Sequence, residues 1–326
     1  MKWGLIGASD IAETRVIPAL RKNNQEVSIV VSNNQLWAET YAKKNSIPKV
    51  AKSLQELLDA DIDAVYISST NEKHFSQAMA AIEKGKQILC EKPIATNLDE
   101  ARKMVAAAKT KGVTFATNHH IRTSGSHQLV RKLIAEGKLG ELVSVRINHG
   151  VSLPERLRGW RLTSKDAGAG VILDIVVHDV DALRHLLGSN IVKAVGFSGS
   201  YGLGNHEIED TSVCTFQFEN GVIATSFESF AIPFNQTNLE VFGSKGSVVI
   251  RNAMTQDPVG KVFFQDENGL REIPVEDQED LYVKTIRQFL TGKPYASGED
   301  GIASLEGALM ILDSIQSEKV AKAEKQ

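Results

Sequence analysis

Lys92, in the run Cys90-Glu91-Lys92-Pro93, and the pair Asp174 and His178, four residues apart, are the side chains best suited to work on a carbonyl group. A lysine ammonium can polarise a carbonyl oxygen or donate a hydrogen bond to it. An imidazole, whose unperturbed pKa lies near neutrality, can give or take the proton. A carboxylate four residues earlier on a helix shares the imidazole's face and can orient it. Plainer readings exist for each part. Lys92 could be a surface lysine at a strand end, and Asp174 with His178 a packed pair, since both need partners on an apolar helix. A metal centre of Asp174, His178 and Asp181 is a third reading, weakened because no further Cys or His cluster has ligand spacing. The adopted reading is redox chemistry without a metal.

These groups need a scaffold, and the first 120 residues supply one. Short apolar runs at 3–7, 27–31, 63–68, 87–90 and 113–117 alternate with helical patterns at 10–22, 36–45, 53–59, 74–84 and 98–111. Ser53-Leu54-Gln55-Glu56 has the form of a capping box. Strands separated by helices imply right-handed crossovers and a parallel sheet, so residues 1–120 are expected to form a doubly wound Rossmann domain. After residue 120 the pattern changes to long β-rich runs between 142 and 265, with helices expected at 126–135, 170–187, 280–290 and 301–318. Glu219-Asn220-Gly221 and Glu267-Asn268-Gly269 carry the Asn-Gly hairpin signal. The fold class is therefore α/β plus α+β, with residues 121–326 forming an open, mainly antiparallel sheet domain.

The run Gly7-Ala8-Ser9-Asp10-Ile11-Ala12 follows the first strand and opens the first helix. It matches the dinucleotide fingerprint G-x-G-x-x-G/A with Ser9 in place of the second glycine. Gly7 allows a sharp turn, Ala12 allows close packing, and the helix amino terminus attracts the pyrophosphate. The Ser9 hydroxyl could itself bind phosphate. A tight turn in another doubly wound protein is the alternative. After the second strand, where NAD enzymes usually place a carboxylate, the chain has Ser32-Asn33-Asn34. An uncharged turn does not repel a 2′-phosphate, so NADP(H) is favoured and NAD(H) stays open. Glu91-Lys92-Pro93 ends a strand, at the sheet edge where such folds bind ligands, and the proline stiffens it. His119-His120 are as readily structural as substrate-facing. Gly159-Trp160-Arg161 offers an aromatic face and a guanidinium for sugar hydroxyls. Cys90 reads as a buried strand residue.

With 326 residues the chain suits two domains. A net charge of -3 argues against nucleic acid as a partner. Two cysteines imply no disulfide framework, and no run approaches the length of a membrane helix. The first residues run straight into a strand pattern without the apolar stretch of a signal peptide, so a cytoplasmic location is expected. The sequon at Asn235 then reads as accidental.

The chain resembles the glucose–fructose oxidoreductase/inositol dehydrogenase/MocA family over essentially its whole length. The matching residues are Gly7 to Ala12, Ser69-Thr70-Asn71-Glu72-Lys73-His74, Glu91-Lys92-Pro93, and Gly170 with Asp174 and His178. The resemblance implies a sugar or polyol oxidoreductase, with Lys92 and His178 catalytic and Asp174 orienting the sugar. It implies cofactor contacts from Ala8, Ser9, Asp10 and Ile11, from Ser32, Asn33 and Trp37, and from Ser69 to His74. It adds Glu91, Lys92, Asn118, Trp160 and Arg161, with Tyr282 a further candidate. A departure is Trp37, where the sugar-ketone reductases of the family have arginine, which weakens strict NADPH preference. The expected activity is reduction of a sugar-derived ketone by NADPH. A polyol or inositol dehydrogenase and a non-catalytic NAD(P)-sensing protein are the alternatives. Strands exposed in the second sheet leave a homo-oligomer open.

Overall fold

The computed structural model of the chain describes residues 1–205 and 207–324, which divide into two compact units. The first unit holds six parallel strands: β1 (Lys2–Ile6), β2 (Glu26–Val31), β3 (Lys49–Val50), β4 (Ala64–Ile67), β5 (Gln87–Cys90) and β6 (Phe115–Thr117). Between them run α1 (Ile17–Lys22), α2 (Gln35–Lys44), α3 (Leu54–Leu58), α4 (His74–Glu83) and α5 (Leu98–Lys111). Ala64, Val65, Tyr66 and Ile67 are all buried, as a strand covered on both faces requires. Polar caps start the helices: Ser53 Oγ accepts the Glu56 N–H, while the Glu56 carboxylate reaches back to the Lys52 N–H. Asn97 caps α5, and Gly112 ends it in the left-handed region.

Strand order is β3-β2-β1-β4-β5-β6, that of a doubly wound dinucleotide-binding sheet. The order reverses between β1 and β4, so a crevice forms beyond their carboxyl ends. The residues following β1, β4, β5 and β6 are Gly7, Ser68-Ser69, Glu91-Lys92 and Asn118. Topology alone brings these candidates to one edge.

The second unit is built on a nine-stranded sheet. Its elements are α6 (Gly125–Ala135), β7 (Leu142–Gly150), α7 (Glu155–Arg158), α8 (Val177–Leu187), β8 (Ile191–Gly199), β9 (Thr211–Phe218), β10 (Ile223–Ser229), β11 (Asn238–Gly243), β12 (Ser247–Arg251), β13 (Lys261–Asp266) and β14 (Gly269–Ile273). After these come α9 (Leu281–Phe289), α10 (Gly298–Ser317) and β15 (Ala321–Lys322). The order is β14-β13-β12-β11-β7-β10-β9-β8-β15, antiparallel except for the parallel pair β7 and β10. Burial alternates along β9 and β10, with Ser212, Cys214, Phe216, Ala224, Ser226 and Glu228 inward.

One boundary differs from the sequence reading, which assigned everything after residue 120 to a single domain. Tyr282–Ile302 belongs to the first unit, where Phe289 packs on Trp3 with ring centroids 5.2 Å apart. Two short strands also lay outside the sequence expectation. Four of the five β14 residues are exposed and the fifth is half-buried, so the strand shows no apolar alternation, and β15 has two residues.

Candidate active site

In the first unit the glycine turn is fixed from two sides. Gly7 has φ 111°, and a Cβ there would lie 2.9 Å from the Ser68 carbonyl carbon and oxygen. Only glycine fits both the conformation and the approach. Ser9, at the fingerprint's second glycine, donates its hydroxyl to Ser68 Oγ (2.8 Å) and accepts the Ala12 N–H (3.2 Å). It holds the turn, a role the phosphate-binding expectation for that hydroxyl did not include. A π-helical turn, Ala12–Val16, then leads into α1. From α2, Trp37 Nε1 donates to the Ala8 carbonyl (3.0 Å) and Tyr41 OH to the Ser9 carbonyl (3.1 Å).

These two bonds provide a test of fit for a dinucleotide. In a trans peptide the C=O and the following N–H point in opposite directions. With the Ala8 and Ser9 carbonyls tied to α2, the N–H groups of Ser9 and Asp10 point away from it, the arrangement an anion needs. Asn33 is exposed and Ser32 half-buried, so no carboxylate stands at the ribose position. Trp37 is 48 % exposed beside the turn. The residues therefore fit a dinucleotide phosphate.

The segment after β4 is held by its own side chains. Ser69 donates to Gln77 (2.6 Å), Thr70 to Glu72 (2.7 Å), and Lys73 pairs with Glu72 at 3.6 Å. Asn71 is buried. His74 is fully buried, with Nδ1 2.9 Å from the Pro93 carbonyl and Nε2 3.2 Å from the Ser69 carbonyl. With its ring between these two carbonyls, His74 links the Ser69 loop to the Pro93 loop, its single N–H donating to one of them. Burial also holds its pKa below the usual range. The Lys92–Pro93 peptide is cis. Glu91 accepts from Tyr66 OH and from Asn118 Nδ2, and burial pushes its carboxyl up against these bonds. Lys92, half-buried, follows directly at the end of β5. Tyr282 is 1 % exposed and belongs to the first unit.

In the second unit the Asp174–His178 helix starts at Gly170, whose φ of 108° favours glycine and whose neighbour is the Glu209 carboxylate. The Glu209 carboxylate accepts the Ile172 N–H at 3.3 Å. Asp174 lies in a second π-helical turn, Ile172–Val176, which runs into α8. Such turns are frequent at functional sites. Asp174 accepts from Arg161 Nε (3.2 Å), and the Arg161 guanidinium lies 4.7 Å from the Trp160 ring centroid. Thus the expected sugar-contacting pair Trp160 and Arg161 is coupled to Asp174. His178 is 8 % exposed, with His120 edge-on at 5.4 Å and His149 tilted at 6.4 Å between ring centroids. Arg122 clamps both Asp181 oxygens, with its Nε 2.8 Å from Oδ2 and Nη2 2.7 Å from Oδ1. The rival metal reading thereby loses its third ligand, Asp181, to a buried guanidinium.

His149, Asp179 and Glu228 did not emerge from the sequence. His149 Nδ1 lies 2.6 Å from Asp179 Oδ1. The signal was present as register: His149 follows Val145 and Ile147 on the inward face of β7, and Glu228 follows Ala224 and Ser226 on β10. A titratable residue in an inward row is costly unless it is paired or used.

Two family profiles match the chain. One, described as an oxidoreductase family with an NAD-binding Rossmann fold, matches residues 1–119. The other, the GFO/IDH/MocA C-terminal domain, matches residues 127–249. A 1,5-anhydro-D-fructose reductase of Ensifer adhaerens is 43% identical over 99% of this chain and 98% of that protein. Among solved structures, aldose-aldose oxidoreductase from Caulobacter crescentus, complexed with glycerol, superposes with TM-score 0.89 at 23% identity, covering 99% of each chain. Levoglucosan dehydrogenase in complex with NADH gives 0.87 at 21% identity, covering 100% of each chain. These two share the fold.

Proposed function

The chain belongs to the GFO/IDH/MocA family of oxidoreductases, and from that premise we propose that it reduces a sugar-derived ketone with NADPH, 1,5-anhydro-D-fructose being the leading substrate. The observation that carries the substrate choice is the 43% identity, over 99% of the chain, to a reductase of that name. The cofactor preference rests on the uncharged Ser32 and Asn33 after β2, which leave a 2′-phosphate without electrostatic opposition.

A bound reduced nicotinamide supplies the hydride. His178 gives its proton to the carbonyl oxygen as negative charge develops there, and the Lys92 ammonium polarises that oxygen or relays the proton. Asp174, anchored by Arg161, orients the sugar. Glu91, held by Tyr66 and Asn118, fixes the backbone that presents Lys92. The same residues run in reverse would serve oxidation of an alcohol.

The test follows nicotinamide absorbance with NADPH, then NADH, against 1,5-anhydro-D-fructose and a panel of sugar ketones. Oxidation of NADPH by the anhydro-sugar is expected, and His178→Ala or Lys92→Ala should lower kcat by about 10²–10⁴-fold while cofactor still binds. Silence across the panel despite demonstrated NADPH binding would overturn the substrate assignment. A near-normal rate in either variant would overturn the roles.

A further inference from the structure

Behind His178, on the inward face of the second sheet, three polar side chains stand in one row. Glu228 of β10 pairs with His149 of β7 on one side and with Ser212 of β9 on the other. Asp179, the residue after His178, closes on this row from α8: its Oδ1 meets His149 Nδ1 at 2.6 Å, and its carboxyl is within hydrogen-bond reach of Glu228. Asp179 and Glu228 are both fully buried.

The hydrogen bonds of this pair are lopsided. Ser212 Oγ donates to Glu228 Oε2 at 2.7 Å, and the Cys214 thiol adds a second donor at 3.7 Å. Asp179 Oδ1 has His149. The other two oxygens, Glu228 Oε1 and Asp179 Oδ2, make no hydrogen bond among the described residues; the inward Ser226 hydroxyl, near Glu228 on the same strand, makes none there either. Two buried carboxylates side by side cannot both stay ionised. One proton between the two orphaned oxygens satisfies both.

We propose that Asp179 and Glu228 share one proton, Glu228 being the acid that donates from Oε1 to Asp179 Oδ2, and that the pair positions the charge of His178. This rests on the assignment of His178 as proton donor. Asp179, the anion, accepts the Nδ1–H of His149 and so fixes that ring as the neutral tautomer. A second negative charge on Glu228 would draw a proton onto His149, and an imidazolium 6.4 Å from His178 would oppose the protonation that His178 needs. His120 and His149 face His178, Asp174 faces Arg161, Asp181 faces Arg122, and burial keeps the Cys214 thiol neutral. The pair titrates as a unit, the proton belonging to both carboxyls.

Two measurements on the whole protein test this. Infrared difference spectra at neutral pH between wild type and Glu228→Gln should show a protonated-carboxyl C=O band that the variant lacks. The absence of that difference band would overturn the shared proton. In the pH dependence of kcat, Asp179→Asn should move the fall in rate at high pH to lower pH by about one unit, because His178 loses a nearby anion. Glu228→Gln, whose amide N–H replaces the acid's O–H, should keep the wild-type limb. A limb unmoved in Asp179→Asn would overturn the positioning role. The infrared band needs no turnover, so an inactive His178→Ala that keeps it separates the two questions. An active His178→Ala would overturn the donor assignment and leave the pair standing.

Discussion

Replacing Glu228 by Gln should flatten the dependence of stability on pH. Burial, then the neighbouring Asp179, lifts the Glu228 carboxyl from 4.5 to about 8. Between those values the folded protein holds a proton that the unfolded chain has lost, so stability falls as pH rises. The contribution is fully present below about 4.5, declines by ~1.4 kcal/mol per pH unit, and is gone above about 8. Over the interval from pH 5 to pH 8 the loss is ~4 kcal/mol, equivalent to roughly 8–16 °C in Tm for a unit of this size. Thermal unfolding of wild type and Glu228→Gln at half-unit pH steps reads this directly. Burial also raises Glu91 and Glu209, which contribute the same slope to both proteins, so the difference between the curves reports the coupled pair of Glu228 and Asp179, whose carboxyl burial raises as well. Convergence of the two proteins at low pH and divergence towards pH 8 is expected. Parallel curves would refute the buried-acid account of Glu228.

Two further substitutions probe the dinucleotide turn. Gly7→Ala combines a disfavoured positive φ, at about 1–3 kcal/mol, with a Cβ placed 2.9 Å from the Ser68 backbone; a lower Tm and at least a tenfold loss of NADPH affinity by fluorescence titration are expected. Trp37→Phe keeps an aromatic side chain, smaller than the indole, but deletes the bond to the Ala8 carbonyl, worth about 0.5–1.5 kcal/mol, so NADPH should bind about 2- to 10-fold more weakly; an unchanged Kd would show that the turn is oriented without it.

Much of the first unit was legible because each layer of signal agreed. Buried strands read as short apolar runs, the capping box at Ser53 formed the expected helix start, and the glycine turn fell after β1. The carboxyl-edge position of Glu91 and Lys92 followed from strand order alone. What the residues do to one another was less legible. His74 looks like any member of the Ser69–His74 run until its ring is found between two backbone carbonyls, because backbone acceptors leave no trace in sequence. Trp37 is expected among the cofactor contacts, and its indole N–H bond to the Ala8 carbonyl leaves no trace in sequence. The return of Tyr282–Ile302 to the first unit was hidden for another reason: an amphipathic helix pattern states that a face is buried, never against what. His149 and Glu228 were missed because their strands were read for β propensity and not for register. Listing the titratable residues at inward positions would have found both.

If His178 is the proton donor proposed above, the helical segment carrying Asp174, His178, Asp179 and Asp181 supplies the charges around that buried imidazole. It places three carboxylates within eight residues, and each meets a different partner. Asp174 faces Arg161, Asp181 faces Arg122, and Asp179 faces His149. Two guanidiniums, which stay protonated, offset two of the charges permanently. The third charge lies beside two imidazoles 6.4 Å apart, and one anion supports one cation. A proton placed on His178 is therefore stabilised by Asp179 only while His149 remains neutral, and it can be released without leaving an unpaired buried cation. A buried lysine in place of His149 would hold a fixed positive charge there and suppress donation. On the proposal made here, histidine at that inward position of β7, backed by an acid that keeps its proton, permits the charge to come and go at His178.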